Sequence, residues 1–383
     1  MPWNDDPDNV ARELNELAPV ERRAPAPDTS RLDAWLRELV ARGGSDLLLV
    51  AGAPAAVRVD GLVSRLPEDV LDGSDVEQAV LPALPAHAQR QYEDTQICDA
   101  SLKVPGVGRF RVNLHRERGR AAVTIRALPT RVPRLSTLNL PAGVEGLTRV
   151  PHGLVLIGGA TGSGKTTTLA ALVDEINRRD SRHIVTIEDP IEYEHVHARC
   201  LVEQVEIGVD APDFPTALRA AVRQAPDVIV VGEMRDPETM RIALAAAETG
   251  HLVLTTLHTT DVASTIARIA DNFPAERQAT VRQDLAMGLA AVLIQSLLPR
   301  VGGGRIPAAE MLMVGYGARQ HIRKNALQHL NQEITITRKT GSFTLEECLV
   351  SLVKRGVVEK ADAALRVQYP EEFEKALAAA KEG

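Results

Sequence analysis

The chain has 383 residues, more than one typical domain requires and enough for two or three. Lys and Arg number 44 against 51 Asp and Glu, a net charge of −7 that argues against the basic surface of an extended nucleic-acid-binding protein. Apolar residues make up 44% but aromatics only 3%, so Leu, Val, Ile and Ala must fill the cores; Cys98, Cys200 and Cys348 stand too far apart for a disulfide framework or a zinc knuckle.

Residues 1–30 are rich in Pro, Ala, Asp and Glu without sustained periodicity, and are expected to form a disordered arm. No basic segment followed by an apolar one stands near the start. The longest apolar window, Leu285 to Leu298, is too short to span a bilayer and is interrupted by Gln295. A cytoplasmic protein without membrane insertion is expected. A helix is predicted from Leu32 to Ala41, ended by Gly43 and Gly44, then a hairpin of Leu47–Val50 and Val57–Gly61, then a helix over Asp75–Tyr92. From Ala100 the period becomes two. It places Arg109, Arg111 and Asn113 on one face of a strand and Phe110, Val112 and Leu114 on the other, with Arg126 on the same kind of surface of the next strand. Taken alone, that arginine face reads as a solvated sheet surface. An α+β domain is thus predicted over residues 31–140, with Pro129 to Pro141 as its linker.

Residues 141–270 alternate strands and helices, which predicts a mostly parallel, doubly wound α/β sheet. Four apolar runs, Leu154–Ile157, Ile184–Ile187, Val228–Val231 and Leu252–Leu257, have the length of strands buried on both faces. Helices are expected from Thr166, over Pro215–Gln224, and from Pro237 behind the N-cap Asp236. Residues 271–383 are expected to be helical: Glu276–Leu298 with the stripe Val281, Leu285, Leu289, Val292 and Leu293, a helix opened by the capping box Thr344 to Glu347, and Asp362–Ala380 broken at Pro370.

Each of the four strands ends in chemistry. The first runs into Gly159-Ala160-Thr161-Gly162-Ser163-Gly164-Lys165-Thr166, a P-loop in its required strand–loop–helix context. Its glycines let backbone N–H groups converge on phosphate, Lys165 supplies a point charge, and the Thr166 hydroxyl suits Mg²⁺. Thr161, Gly162, Ser163, Gly164, Lys165, Thr166 and Thr167 are therefore the expected nucleotide contacts. The second strand ends in Glu188-Asp189-Pro190-Ile191-Glu192, the third in Gly232-Glu233, the fourth in His258-Thr259-Thr260-Asp261. Ligands of open parallel sheets bind outside the carboxyl ends of the strands. Glu233 is the expected water-positioning base; Gly232 occupies the position where a metal-holding Asp usually precedes it, leaving Glu192 or Glu188 as the second acid near Mg²⁺. His251 and His258 bracket the fourth strand and are candidate γ-phosphate sensors. Arg235 is either a finger or the salt-bridge partner of Asp236, and the Arg111 and Arg126 face could reach a nucleotide held by a neighbouring subunit.

The segments GATGSGKTTTLAAL, TIEDPIEYEH, DVIVVGEMRDPET and TGHLVLTTLHTTD, in that order, resemble the Walker A, Asp box, atypical Walker B and His box of the secretion-superfamily hexameric ATPases. SDLLLVAGAPAAVRVDG and GRFRVNLHRERG further resemble the type IV pilus retraction ATPase (PilT) family. The resemblance implies a PAS-like domain before a RecA-like P-loop domain, a homo-hexamer, ATP and Mg²⁺, and a motor at the cytoplasmic, inner-membrane base of a pilus, docked on its platform protein. It implies that Glu233 is the catalytic glutamate and Glu192 the Asp-box acid near Mg²⁺, directly or through water. It further makes His251 and His258 the His-box pair, and Arg111 and Arg126, with Arg109 less closely matched, N-domain arginines acting at the site. The segment Ala318–Lys324 keeps the Arg and Ile-Arg of the family's AIRNLIRE but not its Asn-Leu pair or terminal acid, which leaves an accessory, extension or type II secretion ATPase, or an ATP-binding assembly protein, as the alternative.

Overall fold

The computed structural model describes residues 29–379, so of the arm expected over residues 1–30 all but Thr29 and Ser30 lies outside the described residues. The described chain forms two compact units, one ending at Ala127 and one beginning at Leu128.

The first unit contains α1 (Ser30–Ala41), β1 (Asp46–Val50), β2 (Ala56–Val59), β3 (Leu62–Arg65), α2 (Gly73–Val80), α3 (Ala86–Thr95), β4 (Cys98–Val104), β5 (Gly108–Glu117) and β6 (Arg120–Ala127). Its sheet has the order β3-β2-β1-β6-β5-β4, antiparallel throughout. Leu32, Trp35, Leu36 and Leu39 fall on one stripe of α1 and bury against the apolar face of this sheet, where they join Phe110, Val112 and Leu114 of β5. The alternation read from sequence is therefore realised: Arg109, Arg111 and Asn113 take the other face. Arg111 and Arg126 are cross-strand partners there. The helix expected over Asp75–Tyr92 is interrupted between α2 and α3, because Pro82 and Pro85 cannot donate the helical hydrogen bond and crowd the preceding turn.

The second unit contains β7 (Gly153–Gly158), α4 (Lys165–Arg179), β8 (His183–Glu188), β9 (Leu201–Glu206), α5 (Phe214–Ala221), β10 (Val228–Val231), α6 (Pro237–Glu248), β11 (Leu252–Leu257), α7 (Val262–Asp271), α8 (Ala275–Gly288), β12 (Leu289–Pro299) and β13 (Arg305–Met313). After these come α9 (Tyr316–Arg323), α10 (Leu330–Ile336), α11 (Leu345–Lys354), α12 (Lys360–Ala364) and α13 (Pro370–Ala379). The sheet runs β13-β12-β7-β11-β10-β8-β9, parallel except for β13 against β12. Successive residues of β7 go to opposite cores: Leu154 and Leu156 join Ile229, Val253, Leu285 and Ile266, while Val155 and Ile157 join Leu169, Leu172, Ile176 and Leu293. Burial on both faces is why the strands read as unbroken apolar runs.

The sequence expectation fails at Glu276–Leu298. α8 stops at Gly288 and the chain continues as β12, placing two strands in the portion expected to be helical. Val281, Leu285, Leu289 and Val292 keep helical spacing across the junction by coincidence, and Leu289 to Gln295 is buried on both faces save Ala290, a pattern that serves a central strand as well as a helix.

Candidate nucleotide-binding site

β7 ends at Gly158, and α4 begins at Lys165 behind the N-cap Gly164. Between them Gly159, Gly162 and Gly164 take φ of +149°, +77° and +88°, conformations side-chain-bearing residues rarely adopt. A Cβ at Gly159 would lie 2.4 Å from Ser163 Oγ, a buried hydroxyl that has no protein partner. The loop is thus a cradle that a side chain would fill, backed by an unsatisfied donor and a helix N-terminus, and it fits a phosphate chain.

Lys165 Nζ donates to Gly159 O (2.8 Å) and Ala160 O (3.1 Å) and lies 3.3 Å from His258 Nδ1. An ammonium has no acceptor capacity, so Nδ1 accepts and the imidazole proton belongs on Nε2. Nε2 then donates to Glu233 Oε1 at 3.2 Å, while Glu233 Oε2 receives Arg235 at 2.8 Å. A continuous chain therefore runs from the P-loop lysine through His258 to Glu233. Burial pulls the Lys165 ammonium below its ordinary pKa, and Glu233 and Glu192 pull it back. On Glu233 burial acts upward, but Arg235 and His258 outweigh it and hold the carboxyl below its usual range. Glu233 is thus kept as the anion a water-positioning base requires.

The second strand end divides its two candidate acids, Glu188 and Glu192. Glu188 accepts from Thr186 Oγ1 (2.7 Å) and Gln204 Nε2 (3.2 Å), and burial pushes its pKa up, so it serves the sheet rather than a cation. Glu192 is near enough to bear on the charge of Lys165, and the next residue, Tyr193, bonds Thr167 Oγ1 at 3.0 Å, tying the acidic segment to the first turn of α4. Thr166 is half-buried in that turn. A Cβ at Gly232 would meet Ile187 O at 3.3 Å and Glu188 Cα at 3.4 Å, so a side chain there would be tightly placed between β10 and β8. Among the described residues no three His, Cys, Asp or Glu side chains are grouped to cage a metal; Thr166 and Glu192 instead suit Mg²⁺, which is bound largely through phosphates and water.

The structure thus brings Lys165, Thr166, Thr167, Glu192, Glu233 and His258 together. His251 is elsewhere. It precedes β11, whose six residues run parallel to β7, so it lies at the amino end of the strand and His258 at the carboxyl end, roughly 20 Å away. There its Nδ1 meets Ala246 O at 2.9 Å and its carbonyl accepts from Gly153 N at 2.9 Å. Arg111 and Arg126 belong to the first unit, where they meet Asp99 (3.6 Å) and Asp46 (3.0 Å). Arg235 pairs with Glu233 and leaves Asp236 to cap α6 through Thr239 N. Sequence reasoning missed Tyr193, Thr168 and Gln295, whose side chains brace the loop and its helix. A signal for Gln295 existed, since a polar side chain within an apolar run must find partners once buried.

The fold and the site define a P-loop ATPase. Residues 86–379 match the family model described as Type II/IV secretion system protein. The chain is 42% identical over 332 residues to the type IV pilus retraction ATPase PilT of Pseudomonas aeruginosa, spanning 87% of this chain and 96% of that one. It is 38% identical to the type IV pilus ATPase PilU of the same organism, over 86% of each. The crystal structure of the pilus retraction motor PilT with bound ADP matches with a TM-score of 0.82 at 40% identity, over 92% of this chain and 100% of that one. The chain belongs to this family of secretion ATPases, in its PilT branch. No helix among the described residues is long and apolar enough to cross a membrane.

Proposed function

We propose that the protein hydrolyses MgATP to drive type IV pilus retraction, as a homo-hexamer on the pilus platform protein at the cytoplasmic face of the inner membrane. The observation that carries turnover is the Lys165–His258–Glu233 chain, which links the phosphate cradle to an ionised base. The retraction role is supported by likeness over nearly the whole length of a retraction ATPase, the N-terminal unit included. Nucleotide phosphates give Lys165 oxygens to replace Gly159, Ala160 and His258, which releases His258 Nδ1 from the lysine while Nε2 keeps Glu233 aimed at water. Thr166 and Glu192 would hold Mg²⁺, which when bound would neutralise phosphate charge. Arg111 and Arg126 supply cations to the site of a neighbouring subunit in the ring, so hydrolysis depends on assembly.

Deletion in the native host tests the direction of work. Abundant pili without twitching are expected, and bald cells would contradict retraction. A second reading, an accessory ATPase of the same machine, is favoured by one observation. The arginine kept in the divergent segment, Arg319, is engaged with Ala286 O and Met287 O at the end of α8 (2.5 and 2.6 Å), so it does structural work here. Retraction that persists at reduced force in the deletion strain would favour this reading.

A further inference from the structure

Gln295 is 3% exposed in the middle of β12, with Leu293 and Ile294 before it and Ser296 and Leu297 after it. It interrupts an apolar strand beside the P-loop, and both ends of its carboxamide are used. Nε2 donates to Ser163 O at 2.7 Å, inside the loop, and Oε1 accepts from Thr168 Oγ1 at 2.7 Å, in the first turn of α4. The fit is close: a Cβ at Gly159 would fall 2.3 Å from Gln295 O, and one at Gly164 would fall 2.9 Å from Gln295 Nε2. Gly159 is therefore required by packing on β12 as well as by the approach of phosphate, and Gly164 packs on the Gln295 carboxamide.

The bond to Ser163 O has a further effect through the peptide plane. The peptide joining Ser163 and Gly164 is planar and trans, so its carbonyl and its N–H point in opposite directions. Drawing the carbonyl toward β12 turns the Gly164 N–H away from β12, toward the concave side of the loop. The bond from Thr168 fixes the first turn of α4, whose N–H groups complete the cradle.

We propose that Gln295 is a positioning residue that sets the 163–164 peptide and the start of α4, and through them the affinity for the phosphates of the nucleotide. This rests on the P-loop as the nucleotide site and holds whichever way the motor moves a filament. Gln295→Met keeps the length of the side chain and loses both bonds; Thr168→Val loses one. Titration of the full chain with MgADP, well below the melting temperature, should give a Kd about tenfold weaker for Gln295→Met and about threefold weaker for Thr168→Val. The double variant should be no weaker than Gln295→Met alone, since the Thr168 hydroxyl then has no partner left to lose. A purely structural role would lower the melting temperature and leave Kd unchanged, so an unchanged Kd, or additive effects in the double variant, overturns the proposal. If Gln295→Met does not fold, Gln295→Leu serves. It also loses both bonds; a Kd about tenfold weaker is expected, and wild-type affinity overturns the proposal. Wild-type binding is read in the same titration, so failure of the nucleotide assignment shows there and failure of the role of Gln295 shows in the variants.

Discussion

The two ends of the seven-stranded sheet carry the same residue types and put them to different use. At the amino ends, His183 N and Leu252 N donate to Asp227, His251 Nδ1 meets Ala246 O, and His251 O accepts from Gly153 N. Histidine and carboxylate there hold backbone. At the carboxyl ends Lys165, His258, Glu233 and Arg235 hold one another beside the phosphate loop. The difference comes from strand polarity. In parallel strands every carboxyl end faces the same edge, so loops from four strands converge there, while the amino ends receive chains emerging from helices. A histidine next to a strand is therefore a site candidate only on the correct side of it.

Substitutions at the carboxyl edge should outrank those at the amino edge. The largest effect is expected from Lys165→Ala, which removes the charge aimed at the phosphates: MgATP affinity by titration should fall at least about 100-fold, with hydrolysis lost in proportion. Glu233→Gln should bind MgATP within about threefold of wild type yet hydrolyse it about 100- to 1,000-fold more slowly, because it keeps a hydrogen-bonding group and loses the base. Equal losses in binding and turnover would break the distinction between cradle and base.

A pH effect sharpens the picture at the same edge. Glu310 of β13 is level with Gly158, through Ile294, and accepts from Val262 N at the start of α7 (3.2 Å). Burial, then Asp261 and Glu346, push its carboxyl up to about 7. The unfolded chain releases this proton near 4.5 and the folded protein near 7, so the contribution to stability is full below the lower value, falls as pH rises between the two, and levels off above. Chemical denaturation from pH 5 to pH 8 should show a decline of at most about 3 kcal/mol that Glu310→Gln flattens. A decline of the same size in Glu310→Gln would assign it to other groups. The smallest effect is expected at the amino edge. His251→Ala loses one hydrogen bond, which should lower the melting temperature by about 2–4 °C.

The reach of the sequence follows the same division. The P-loop, the four strand ends and Glu233 were legible because parallel strands are short apolar runs punctuated by polar clusters, and because the glycine pattern admits few other backbones. The face carrying Arg111 was legible through strict alternation. β12 was not, since helical spacing continues from Val281 to Val292 across a real junction, and with the strand hidden Gln295 looked like an interruption rather than a brace. His251 was misplaced because proximity in sequence to a strand says nothing of which end is meant until chain direction is applied. Arg235 was read beside Asp236, but that side chain is committed to the helix cap, and the arginine turns to Glu233.

The central claim is that His258, and not His251, joins the phosphate cradle to the base. Single-turnover hydrolysis by His258→Ala and His251→Ala, measured side by side at saturating MgATP, tests it most directly. The account predicts a rate reduced about tenfold or more for His258→Ala and within about twofold of wild type for His251→Ala. Equal rates for the two variants would contradict it.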